Sequence, residues 1–142
     1  MAGTVSVSYD GDPVIPGGPQ NIRKVSVTWT SDGSGDATVT IKKISGYLLR
    51  GVTNPGSTAP TANYDITLKD STHSVDLLGN CGDDLANRHT SSTENVEFIL
   101  NEYSGTPVGV GLHPCVCDTI DIAVANAGDS KEGVLEIYWT TG

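Results

Sequence analysis

The chain has 142 residues, which fits one domain, and a domain of this size buries about two-thirds of its unfolded surface without help from a disulfide or a metal. Its 37% hydrophobic and 18% charged residues are globular proportions, too apolar for a disordered chain. Seventeen acidic against eight basic residues give a formal charge of −9, which argues against a nucleic-acid-binding surface and against electrostatic docking on an anionic membrane.

No run approaches the roughly 18 apolar residues of a membrane span. The start, Met1-Ala2-Gly3-Thr4-Val5, lacks a basic region followed by an apolar one, so no secretory signal is expected. Synthesis in a cytoplasm without processing follows. The three cysteines, Cys81, Cys115 and Cys117, are odd in number and irregular in spacing, which predicts reduced thiols rather than a disulfide framework.

A period of two governs the chain. Val5, Val7 and Tyr9 alternate with polar residues and open a strand. Asp10-Gly11-Asp12-Pro13 and Pro16-Gly17-Gly18-Pro19 then exclude a helix and predict an irregular arm. The expected division is 1–21 as N-terminal strand and arm, and 22–142 as the β domain. Val25, Val27 and Trp29 define the next strand. Ser31-Asp32-Gly33-Ser34-Gly35-Asp36 supplies turn chemistry, and Val39 and Ile41 lie on the return strand, so a hairpin is expected around residues 22–44. Gly46 marks a bulge or bend before a further strand through Tyr47, Leu48 and Leu49 toward Val52.

Tyr64, Ile66 and Leu68 give another strand. Val75, Leu77 and Leu78 are compatible with a strand end. Asp83 to Arg88 suits one short helical turn. Val96, Phe98 and Leu100 form a strand. Ile120, Ile122, Val124 and then Leu135, Ile137, Trp139 flank the turn Asn126-Ala127-Gly128-Asp129, an expected C-terminal hairpin. About eight strands with closely spaced turns predict an all-β, antiparallel β-sandwich or jelly-roll-like barrel. Trp29 and Trp139 are in phase with the core, and Tyr138 points to the opposite face as an exposed aromatic, a candidate interface or sugar platform.

The residues that carry chemistry are sparse. Cys115 and Cys117 point the same way in an extended segment, and Cys81, His89 or His113 would complete a tetrahedral zinc set. The single C-x-C lacks the paired spacing of zinc ribbons and fingers, so buried or idle thiols are expected. A Cys115 nucleophile with His113 or His89 has no family signature around it. Asp32-Gly33-Ser34-Gly35-Asp36 resembles the start of a calcium loop, yet Ala37 and Lys43 stand where glycine and a bidentate glutamate are needed. Asp65, Asp70 and Asp76 are spaced as surface and turn residues. No catalytic residue, cofactor or metal is expected, and the chain is read as a non-enzyme.

Trp29-Thr30-Ser31-Asp32, Ala37-Thr38-Val39-Thr40, Gly46-Tyr47-Leu48-Leu49-Arg50, Val52 to Gly56, Ala59 to Asp70, Asn126-Ala127-Gly128 and Gly133 to Tyr138 form a pattern over roughly residues 22–140. In these segments the chain resembles short all-β virion structural proteins of tailed bacteriophages. The resemblance implies a capsid decoration (cement) protein in the virion, made in the host cytoplasm and bound to the major capsid protein or other virion proteins. It brings no catalytic residue. A head–tail connector or tail-associated protein is the alternative, and a glycan-binding β-sandwich module a third. For such a role Asp10, Asp12, Pro13, Pro16 and Pro19 form a candidate partner-contact arm, since prolines lower the entropy cost of ordering an extended segment. Homo-oligomerisation, with a trimer favoured at capsid threefold positions, is the matching expectation.

Overall fold

A computed structural model describes residues 3–10, 22–78, 82, 85, 88–91, 93–96 and 114–141. The chain is all-β and antiparallel. In order come β1 (Thr4–Asp10), β2 (Ile22–Thr30), β3 (Ala37–Pro55), β4 (Asp65–Asp70), a four-residue helix α1 (Arg88–Ser91), β5 (Glu94–Val96), β6 (Cys115–Ala125) and β7 (Glu132–Thr140). The strands are ordered β1-β2-β7-β3-β6-β4, with β5 on β3. Every pairing is antiparallel. The alternation read from sequence is kept: Val25, Val27 and Trp29 of β2, Ile120, Ile122 and Val124 of β6, and Leu135 and Ile137 of β7 are buried in one core. Val5 and Val7 pack against that core, so β1 belongs to the same body as β2–β7.

Seven strands form among the described residues where about eight were expected. The two segments read on either side of Gly46 are one 19-residue strand. Its first half, Ala37–Tyr47, pairs with β6, and its second half, Tyr47–Pro55, pairs with β7. Gly46 sits at the exchange. A Cβ there would lie 2.0 Å from the Thr140 carbonyl oxygen, so no side chain fits between the crossing backbones. Two register shifts, at Ile41/Ile44 and Leu48/Arg50, flank the exchange and let the strand keep its apolar side inward across it.

Both expected hairpins are replaced by crossings. β2 pairs with β1 and β7, not β3, and β6 pairs with β3 and β4, not β7. The two turns bond to each other instead. The Ser31 amide donates to Lys131 O at 2.8 Å, and the Ala127 amide to Gly35 O at 3.0 Å. The buried Ser31 hydroxyl donates to Gly128 O and accepts from the Lys131 amide. The turn at 31–36 is also closed internally: Asp32 Oδ1 accepts from the Ser34 and Asp36 amides at 2.8 and 3.0 Å, and Gly35 takes φ +89°. Strand-turn-strand periodicity is the same for a hairpin and a crossing, and the turn-to-turn bonding accompanies the crossing.

Trp29 lies opposite Gly133 in the β2–β7 register, and a Cβ on Gly133 would meet the indole at 2.5 Å. The missing side chain lets the ring lie flat against β7 and reach within 6.0 Å of the Tyr64 ring. The helical turn expected over Asp83 to Arg88 falls mostly on residues that are not described, and the described helix α1 begins at Arg88. Asp83, Asp84, Ala86 and Asn87 lie outside the described residues, as do Phe98 and Leu100.

Replacing Gly46 with alanine drives a methyl into the Thr140 backbone, and we expect a loss of about 3 kcal/mol, the upper end for overpacking. Gly33→Ala meets nothing within 4 Å and should leave stability unchanged or slightly raised. Urea unfolding of the two variants side by side checks this, and equal midpoints would contradict the crowding at Gly46.

Candidate functional site

The end of the molecule that holds Asp10, Ile22, Thr140 and Tyr47 concentrates positive charge. Arg23 and Lys24 open β2, and Lys42 and Lys43 occupy the first register shift of β3. In a regular strand two adjacent lysines face opposite sides. At the bulge both are exposed and both line one open cleft, together with Arg23, Lys24, Tyr9, Val25, Ile44 and Trp139. Four of the chain's eight basic residues thus meet in a space of 170 Å³ on a protein of charge −9.

Aromatic rings set these cations in place. The Arg23 guanidinium lies 5.4 Å from the Trp139 ring centre, and the Lys42 ammonium 4.9 Å from that of Tyr9. The Tyr9 hydroxyl also accepts the Lys42 backbone N–H at 3.0 Å, tying the end of β1 to the bulge. Lys24 Nζ is 3.3 Å from Glu136. Trp139, expected in the core, is half-buried: it packs on the core from the cleft wall.

Tyr138 faces away from the core, as its position opposite Trp139 in phase requires, but it is half-buried rather than exposed. It is the middle of the row Lys24–Tyr138–Arg50 across β2, β7 and β3, and the Arg50 guanidinium lies 5.6 Å from its ring centre. Side chains directly paired across strands cover one another, which explains the difference. The exposed apolar residues of this face lie one row further: Ile22, Thr140, Tyr47 and Cys115 are paired in line across four strands, with Ile22 59% and Tyr47 48% exposed.

The other candidates separate. Of the expected buried or idle thiols, Cys115 and Cys117 are not buried: both are free and exposed, because they take the outward positions of β6 beside buried Val116. Among the described residues no group of three metal-ligating side chains assembles. Cys81 and His113 lie outside the described residues, as do Asp12, Pro13, Pro16 and Pro19; Asp10 ends β1. The acids serve turns. Asp76 Oδ1 accepts from the Leu68 and Leu78 amides, Asp70 accepts from the Val75 amide and pairs with His73, and Asp65 accepts from Asn126. Amide donors hold the Asp32 carboxyl below its ordinary 3.8, first that of Asp36 and then that of Ser34. Burial pushes Asp70 up, but the Val75 amide and His73 outweigh it and the net shift is downward.

His89 is buried, away from any cysteine described. Its Nδ1 is 2.8 Å from Thr53 Oγ1, itself 1% exposed, and its carbonyl accepts from the Tyr64 hydroxyl at 3.3 Å. Burial pushes the Tyr64 phenol up to about 12, so it stays protonated as a donor. This polar knot fastens α1 beneath β3. Sequence reasoning singled out neither the knot nor the cleft. The one sequence sign of the cleft is that half of the basic residues occur as the doublets Arg23-Lys24 and Lys42-Lys43.

No family model, curated protein or solved structure matches the chain.

Two outcomes follow. Thr53→Val strands a buried imidazole nitrogen and should cost about 1–3 kcal/mol, read by urea unfolding. Because the Asp32 pKa is depressed in the fold, its contribution is complete above 3.8 and disappears as pH falls through the lowered value. Asp32→Ala should therefore show a shallower acid loss of stability than the parent chain, and parallel acid limbs would contradict the amide cap.

Proposed function

We propose that the chain is a non-enzymatic structural component of a tailed-phage virion, a capsid decoration protein that binds the shell through one end of a β-sandwich. The sandwich is our reading of β3: its first half with β6 and β4 forms one layer, and its second half with β7, β2 and β1 the other. The two bonded crossing turns favour it.

The observation that carries the docking end is the outward row Ile22–Thr140–Tyr47–Cys115. Exposed isoleucine and tyrosine in one outward row, with Thr140 between them, suit an interface better than solvent. Asp10 and Ile22, which flank the arm segment 11–21, are at this same end, so a partner seated there is within reach of the arm. By contrast the outer edge of β4 is taken up: the Leu77 amide donates to Leu68 O at 2.6 Å and the Ile66 amide to Gly82 O at 2.8 Å. Of the segments that carry the resemblance, Gly46 to Arg50 of β3 supplies Tyr47 to the row, and Gly133 to Tyr138 of β7 ends two residues before Thr140. β1 is hydrogen-bonded into the sheet along its whole length, so removal of residues 1–19 would strip a strand and is no clean test of the arm.

Quantitative mass spectrometry of the purified particle should give one copy per major capsid subunit or a simple fraction of that. A handful of copies per particle would shift the protein to the neck or tail, and absence would overturn the virion reading. Ile22→Asp with Tyr47→Asp should lower occupancy while changing unfolding free energy by no more than about 0.5 kcal/mol per site, as for exposed positions generally.

A further inference from the structure

We propose that the outer edge of β1 is a self-association surface, on which β1 of a second copy of the chain pairs antiparallel about a two-fold axis at Val7. The inference stands apart from the virion reading, and its test uses the isolated chain.

The edge is open. β1 pairs with β2 on one side, over all seven residues. On its other side no strand pairs, and among the described residues no backbone group of β1 bonds elsewhere. β3 comes close without pairing: the Tyr9 hydroxyl accepts the Lys42 N–H, and Gly3 stands against Asp36 and Ala37. At the far end of the strand order the edge of β4 is bonded by the Leu77 amide and the Gly82 carbonyl. β1 also lacks the devices that blunt an edge. Thr4 to Tyr9 contains no proline and no charged residue, and no register shift interrupts the strand.

The apolar side of β1 is unfinished. Val5, Val7 and Tyr9 are paired with Trp29, Val27 and Val25, which are all buried. Val5 and Val7 themselves are only half-buried, and Tyr9 is 36% exposed. A further strand beside β1 would cover them.

The sequence of β1 is its own complement. With Val7 on the axis, Val7 meets the second copy's Val7, Val5 meets its Tyr9, Ser6 its Ser8 and Thr4 its Asp10. Residues directly opposite in an antiparallel pair share a face, so the valine and tyrosine pairs extend the inner row and the serine pairs lie outside. Pairs of β-branched with aromatic residues, and of hydroxyls, are favourable in that position. The two copies of Asp10 fall at opposite ends of the junction, each across from a threonine. The net charge of −9 opposes association at long range, but at physiological ionic strength its field decays over about 8 Å. An isologous contact of this kind closes at two copies and makes the β1-β2-β7 strands of both into one sheet.

Sedimentation equilibrium of the whole chain is the test. One strand pair is a small interface and belongs with the weak associations, so the range runs from about 1 µM to about 1 mM. The mass should rise from 14.8 kDa toward twice that value and no further. Ser6→Lys with Ser8→Lys, both at exposed positions, sets like charges across each serine pair and should raise the dissociation constant by about tenfold or more. Ser6→Lys with Ser8→Glu sets opposite charges across the same pairs and should restore association to the parent level or above. That reversal is specific to the register centred on Val7. Should the double-lysine variant unfold, Ser6→Glu with Ser8→Glu gives the same contrast. A monomer throughout the range would leave the edge to a strand of another protein and overturn the proposal, as would a trimer, or a dimer that like and opposite charges leave unchanged.

Discussion

The close approach of Gly46 to the Thr140 carbonyl is the constraint on which the rest of the molecule depends. At that point β3 stops pairing with β6 and starts pairing with β7. One strand thereby holds both parts of the sheet, and Ile41, Ile44 and Leu48 face a single core on either side of the exchange. β6 and β7 both pair with β3 and not with each other, so the turn at 126–131 closes no hairpin. Instead that turn crosses and bonds the turn at 31–36 through Ser31 and Gly35. Exchange at one end and joined turns at the other are two expressions of one topology.

The bulges that relieve β3 around this exchange also arrange the surface. The shift at Ile41/Ile44 turns Lys42 and Lys43 toward the same cleft, while the exchange brings Tyr47 into line with Ile22 and Thr140. A basic, aromatic-walled cleft and an exposed apolar row therefore share one end of the body. The opposite end carries Asp32, Asp36, Asp129 and Glu132 around the crossing turns.

Buried polar groups complete the picture and explain why the interior is not merely apolar. Thr53, His89 and the Tyr64 hydroxyl satisfy one another beneath β3. The core thus closes where the helix and β5 meet the second half of β3. Such a group is costly to leave unpaired, which makes the knot a specific fastening rather than a gain in bulk stability.

How much was legible in the sequence follows from the range of each interaction. Period-two alternation is local: it places Val25, Val27 and Trp29, and Leu135 and Ile137, on the inner face whatever their neighbours, because side chains alternate across any strand. It also gave the all-β class, the turn at Asp32–Asp36 and the special place of Gly46. Partner choice is not local. The hairpins expected at 22–44 and at the C-terminus became crossings, since Ser31 found Lys131 and Gly128 a hundred residues away in sequence rather than a neighbour on the returning strand. Tyr138 lost its exposure to Arg50 and Lys24 for the same reason. The cleft was invisible as well: the basic residues that line it come from two strands that do not pair, β2 and the bulge of β3. The sequence by itself determined which residues face inward and where the chain turns; tertiary structure alone decided which strands meet, because hydrogen-bond partners in a sheet are chosen across space and leave no periodic trace in the chain.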